Sequence, residues 1–201
     1  MSINDLTPKK KIGVYSGSFN PIHLGHIHLA QFIVENNFVD EVWFVVSPCN
    51  PLKNQSDLID EYIRLEMVVL AIKDSAYFKA SDVEFNMPIP SYSIDTLHEL
   101  KLLYPNYEFS LLIGSDNALV FDKWKNYEQL LAEFSVLVYP RRGYEFSTVA
   151  HLYPTMQLLD SPFFDISSTQ IRELVSNDKD TSEFLDARVL DFIEENELYS
   201  R

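Results

Sequence analysis

The chain carries one cysteine, Cys49, in 201 residues, which excludes an intrachain disulfide and any paired-cysteine metal motif and fits a reducing compartment. With no base identifiable beside it in Pro48-Cys49-Asn50-Pro51, that thiol reads as a bystander rather than a nucleophile. No apolar run approaches the length that crosses a bilayer, and no apolar signal segment follows the polar, lysine-bearing N-terminus. The expectation is a soluble cytoplasmic protein with no membrane partner. Basic residues are also scarce: 16 Lys and Arg face 30 Asp and Glu, for a net charge of -14. That balance argues against general nucleic-acid binding but leaves room for a few basic groups to hold phosphate locally. Only five glycines occur, and the segment after the first strand lacks the compact glycine fingerprint of a dinucleotide dehydrogenase.

A 46% hydrophobic fraction with 13% aromatics opposes disorder. A chain of this length can bury one substantial core, so 1–201 is read as a single domain. Apolar strand candidates at Ile12–Tyr15, Glu41–Val46, Glu108–Ile113, Phe134–Tyr139 and Met156–Leu159 alternate with helical stripes at Leu24–Val34, Leu58–Ala71 and Ser93–Leu103. Phe78–Phe85 reads as a short strand or extended passage, and Met87-Pro88-Ile89-Pro90 interrupts regular structure. Helices are expected at Thr169–Val175 and Ser182–Glu195. Strands joined by long crossovers predict an α/β, Rossmann-like, mostly parallel sheet with helices on both faces and a small C-terminal helical region. Ligands then belong over the C-terminal ends of the strands. An exposed helical face could be an interface or simply a solvated surface, which leaves a homo-oligomer open.

The segment Gly17-Ser18-Phe19-Asn20-Pro21-Ile22-His23-Leu24-Gly25-His26 stands where the pattern changes from strand to helix. Two histidines three apart in a first helical turn share a face beside backbone N–H groups that attract anions. Gly17 can take a backbone shape closed to other residues, and Gly25 has no side chain to keep a ligand away. His28, beside the apolar stripe, has no evident partner and is placed on the surface. Near the other end, Ile166-Ser167-Ser168-Thr169-Gln170-Ile171-Arg172 combines a hydroxyl cap, first-turn amides and a fixed positive charge, again suited to phosphate.

Together these segments resemble the two signatures of the nucleotidyltransferase superfamily, and over most of its length the chain looks like the bacterial nicotinate-nucleotide adenylyltransferases. The intermediate matches are Ser91-Tyr92-Ser93-Ile94-Asp95-Thr96-Leu97, Gly114-Ser115-Asp116, Trp124 and Arg141-Arg142-Gly143. The resemblance implies ATP-phosphate contacts from Gly17, Ser18, Phe19, His23, Gly25, His26, Ser168, Thr169 and Arg172, with His23, His26 and Arg172 stabilising the transfer. It implies pyridine recognition at Ser93, a ribose contact at Asp116, ring stacking on Trp124, and mononucleotide-phosphate contacts at Lys53 and Arg141. Asn20 stands where the family commonly has aspartate, Leu52 where it often has histidine, and the usual proline before Val189 is missing.

The implied reaction joins ATP to nicotinic acid mononucleotide, with Mg²⁺ carried mainly by the ATP phosphates and no metal site built from protein ligands. Its rivals are adenylyl or cytidylyl transfer to another small phosphorylated substrate, such as pantetheine phosphate, and a non-catalytic ATP-sensing domain. Physical reasoning from the sequence does not rank the acid against the amide mononucleotide; the resemblance favours the acid.

Overall fold

The computed structural model describes residues 8–48 and 58–200. Lys53, Leu52 and Cys49 lie outside them. Six strands, β1 (Lys10–Gly17), β2 (Glu41–Val46), β3 (Phe78–Ser81), β4 (Tyr107–Gly114), β5 (Ser135–Tyr139) and β6 (Met156–Leu158), form one sheet in the order β3-β2-β1-β4-β5-β6. Every neighbouring pair is parallel. The helices are α1 (Leu24–Glu35), α2 (Glu61–Ile72), α3 (Ser93–Leu103), α4 (Ser115–Ala118), α5 (Tyr127–Glu133), α6 (Ser168–Val175) and α7 (Ala187–Glu195).

Parallel strands buried on both faces show as alternating side chains sent to two cores. Tyr15, Val42, Phe44, Leu112 and Leu137 pack under α1, α2, α6 and α7, represented there by Ile33, Met67, Ile171 and Val189. Ile12, Val14, Trp43, Leu111 and Val136 pack on the other face with Leu97 of α3, Ala118 of α4 and Leu130 of α5. Helices therefore cover both faces, as the strand and crossover pattern predicts. β1 and β4 are adjacent, and the chain leaves β1 toward one edge and β4 toward the other. Their C-terminal ends, Gly17 and Gly114, flank the crevice where such sheets receive ligands.

Several boundaries differ from the sequence reading. The extended passage after Phe78 ends at Ser81, and Val83–Asn86 winds into a 3₁₀ turn. Asp60 caps α2 by accepting from the Tyr62 and Ile63 amides, so that helix starts at Glu61 rather than Leu58. Asp186 likewise starts α7, leaving 182–186 outside the expected Ser182–Glu195 helix. The short α4 and the seven-residue α5 carry too few apolar repeats to stand out by period. In α1 the buried side is Gly25, Leu29, Ala30 and Ile33; His28 is exposed, as expected.

Arg64 of α2 is fully buried. Its guanidinium donates to four backbone carbonyls: Ile59 at 2.9 Å, Ser18 at 2.6 Å, Ser47 at 2.8 Å and Pro48 at 3.2 Å. It thereby ties the loops leaving β1 and β2 to one helix. A methionine there would fill the volume but strand four carbonyls, and we expect Arg64→Met to cost about 3–5 kcal/mol of unfolding free energy in a denaturant titration. A loss under about 1 kcal/mol would show that these loops hold without it.

Candidate active site

The loop between β1 and α1 is held from several directions. Arg172 Nη1 donates to the Asn20 carbonyl at 2.9 Å, the Ser168 hydroxyl donates to the Pro21 carbonyl at 2.9 Å, and the Tyr199 hydroxyl donates to Asn20 Oδ1 at 2.9 Å. The early and late motifs are thus bonded to each other. The Asn20 side chain thus accepts from a neutral donor. Ser167, not Ser168, caps α6: its hydroxyl accepts from the Gln170 amide at 3.2 Å, with Gln170 reaching back to the Ser167 amide. Thr169 is exposed.

The glycines of this loop leave space to neighbouring rings. The left-handed residue in the first loop is Phe19, at φ 47°, and Gly17 has no positive φ. A Cβ on Gly17 would come within 3.0 Å of the Phe19 ring, so the missing side chain makes room for that buried aromatic. Gly25, which lines the smaller cavity, also makes room for the His23 imidazole, 3.1 Å from where a Cβ would sit. Gly114 is the tightest case: a Cβ would lie 2.2 Å from Asp116 Oδ1.

His23 and His26 stack face to face, with ring centroids 3.7 Å apart. Phe19 and Tyr15 meet His26 edge-on at 5.1 Å and 5.7 Å. The His23 backbone N–H donates to His26 Nδ1 at 3.3 Å, so a neutral His26 ring carries its proton on Nε2. Burial, then the Arg141 charge, pushes the His23 imidazole down from 6.5 to about 3. His23 is therefore neutral at pH 7. Its Nδ1 has no hydrogen-bond partner among the described residues, and the same holds for Asp116 Oδ1, Arg141 Nε and Trp124 Nε1. All four atoms are buried in residues expected to meet substrate.

Two cavities meet at this end of the sheet. The larger encloses about 950 Å³ including its open mouth, and its walls include Ser93, Trp124, Lys123, Lys125 and Glu84. The smaller, about 290 Å³, is lined by His23, Gly25, His26 and Arg141. Tyr15 and Tyr139 line both. Their hydroxyls are 3.4 Å apart, and Arg141 Nη2 donates to the Tyr139 hydroxyl at 3.3 Å. Arg141 also lies 3.8 Å from Asp116 through Nε, and its amide donates to the Ser115 hydroxyl at 2.8 Å. Burial lowers the Arg141 pKa, but the two tyrosines and Asp116 outweigh it, so the net shift is upward. The residues expected around the mononucleotide are thus divided: Ser93 and Trp124 share the larger cavity, while Arg141 sits on the histidine side with Asp116 against it.

A Cytidylyltransferase-like family model matches residues 14–174. A protein of Bacteroides fragilis named "Probable nicotinate-nucleotide adenylyltransferase" is 50% identical over 177 residues, covering 88% of each chain. One of the same name from Flavobacterium johnsoniae is 43% identical across 95% of this chain and all of its own. The chain belongs to the nicotinate-nucleotide adenylyltransferases of the cytidylyltransferase-like family. Among solved structures, the Plasmodium falciparum nicotinic acid mononucleotide adenylyltransferase complexed with NaAD superposes with a TM-score of 0.81 at 25% identity, covering 94% of this chain and 97% of that one. Its complex with APC gives 0.79.

Sequence reasoning about this adenylyltransferase site overlooked Arg64, Glu84 and the Tyr15–Tyr139 pair. An arginine in an apolar helical stripe is a visible signal for the first, whereas the others are defined only by strand adjacency. The neutral His23 has a stability consequence. Its unfolded form takes up a proton below 6.5 and its folded form only near 3, so the contribution present above 6.5 is lost as pH falls through that window. The stability gap between wild type and His23→Asn should therefore shrink on acidification, by up to about 1.4 kcal/mol per pH unit, in denaturant titrations from pH 7 to 4. A gap independent of pH would mean that His23 titrates normally.

Proposed function

We propose that this enzyme transfers the adenylyl group of ATP to nicotinic acid mononucleotide, making nicotinic acid adenine dinucleotide and pyrophosphate for NAD biosynthesis. The observation that carries the reading is the direct bonding of the two phosphate motifs: Arg172 and Ser168 grip the loop that presents His23 and His26. A phosphate oxygen of the mononucleotide attacks the α-phosphorus in line. The bond from that phosphorus to the bridging oxygen breaks, and pyrophosphate leaves. No covalent enzyme intermediate is required.

His26 donates from Nε2 to the charge that builds on the phosphate oxygens, with the neutral His23 ring stacked against it to fix its orientation. Arg172 uses one N–H on Asn20 and has others for the triphosphate, with Thr169 and the first-turn amides of α6 beside it. Gly17, Ser18, Phe19 and Gly25 act through the loop's backbone and by yielding space. Trp124 and Ser93 line the cavity offered to the pyridine ring, and Asp116 and Arg141 stand where the two cavities meet. Lys53 is assigned to the mononucleotide phosphate by the resemblance alone.

Among the described residues no group of three or more His, Cys, Asp or Glu side chains could hold a metal ion. The donors beside the histidines instead suit anionic oxygens, which supports Mg²⁺ arriving on the ATP phosphates, where it offsets repulsion between the two anionic substrates. No helix among the described residues is long and apolar enough to cross a membrane.

His26→Ala should lower kcat/KM by about 10²–10³, as loss of a transition-state donor does elsewhere, with unfolding free energy changed far less. Pyrophosphate release with ATP-Mg²⁺ is the readout, measured separately with nicotinic acid and nicotinamide mononucleotides. Unchanged turnover in a folded variant removes His26 from the mechanism. Product formed only with pantetheine phosphate would overturn the substrate assignment.

A further inference from the structure

Glu84, in the 3₁₀ turn after β3, is buried, lines the larger cavity and belongs to none of the ion pairs of the described residues. Four hydroxyls donate to its carboxylate: Ser16 at 3.1 Å and Thr96 at 3.0 Å to Oε1, and Ser47 and Ser91 at 2.5 Å each to Oε2. Thr96 shares its proton with the Tyr92 carbonyl at 3.2 Å. Ser16, Ser47 and Ser91 line the same cavity. A hydroxyl has one proton, and each of these three serines spends it on Glu84, so they have only oxygen lone pairs left to face a ligand. This wall consequently offers acceptors and a buried negative charge. Trp124, on another segment of the lining, adds an aromatic face that also favours positive charge.

Resting on the reading that a pyridine mononucleotide enters this cavity, we propose that Glu84 is a specificity-determining positioning residue that selects the cationic pyridinium ring over the neutral dihydropyridine ring of the reduced mononucleotide. It acts at a distance through the hydroxyls it orients. Glu84→Gln removes the charge and supplies two N–H donors, which forces hydroxyls on that side to turn round and accept, sending their protons into the cavity. Ser91→Ala has the opposite electrostatic sign, because it withdraws a donor and leaves the carboxylate less screened.

The experiment measures kcat/KM of the full chain with ATP-Mg²⁺ and either oxidised or reduced nicotinic acid mononucleotide, together with the KM for ATP. Wild type should prefer the oxidised form by about tenfold or more, the scale of one partly screened charge. Glu84→Gln should erase most of that preference through the mononucleotide KM, with the KM for ATP within about twofold and kcat little changed. Ser91→Ala should widen the preference. If Glu84 only props up the loops, both variants lose melting temperature with the preference intact, and the proposal fails. It also fails if Ser91→Ala leaves the preference unchanged or narrows it, an outcome that decides the matter even where Glu84→Gln does not fold. Product with neither mononucleotide in wild type would instead overturn the underlying substrate assignment.

Discussion

The backbone carbonyls of the loop after β1 are the constraint on which the site depends. Ser18, Asn20 and Pro21 each give a carbonyl to a side chain from far along the chain: Arg64 of α2, Arg172 of α6 and Ser168 of α6. A loop of this kind would otherwise direct its carbonyls to water and sample many shapes. Fixed this way, it sets the start of α1 and therefore the stacked pair His23 and His26. Phe19, at φ 47° and fully packed, shows that the surroundings over-determine the loop, since a bulky residue there is held against its own preference.

The electrostatics are local. A protein of net charge -14 that acts on two anionic substrates needs its positive groups where the substrates meet. Screening beyond about 8 Å at physiological salt reduces the remote acidic surface to a minor influence. Arg141 and Arg172 are close to the histidines or their loop, while Lys123 and Lys125 rim the larger cavity. His23 adds no charge of its own, because burial beside Arg141 keeps its imidazole neutral. The Tyr15–Tyr139 pair lines both cavities and reaches Arg141 through one hydroxyl, so the wall the cavities share is itself polar.

Much of the fold was legible because burial on both sheet faces demands apolar runs of strand length, and Glu41–Val46 and Glu108–Ile113 supply them. The helical stripe of Ser93–Leu103 was equally direct. Boundaries set by a capping carboxylate, as at Asp60 and Asp186, were less so, because many acidic residues of the chain could have played that part. The elements α4 and α5 escaped for want of repeats. Within the site, the motif residues carried their own signal, but the reason for each glycine did not: Gly17 and Gly25 yield space to Phe19 and His23, neighbours in sequence whose ring positions depend on packing.

The sequence by itself determined that β1 and its histidine-bearing loop precede a helix, that a second helix start with a hydroxyl cap and an arginine follows near residue 168, and that the chain belongs among parallel α/β enzymes. Those are consequences of local periodicity, caps and residue chemistry, which act over a few residues. Tertiary structure alone decided that Arg172 would reach Asn20, that Arg141 would side with the histidines rather than with Trp124, and that four hydroxyls from four segments would converge on Glu84. Each is a contact between segments far apart along the chain or on separate elements. Its existence follows from strand order and crossover packing, which no local pattern encodes.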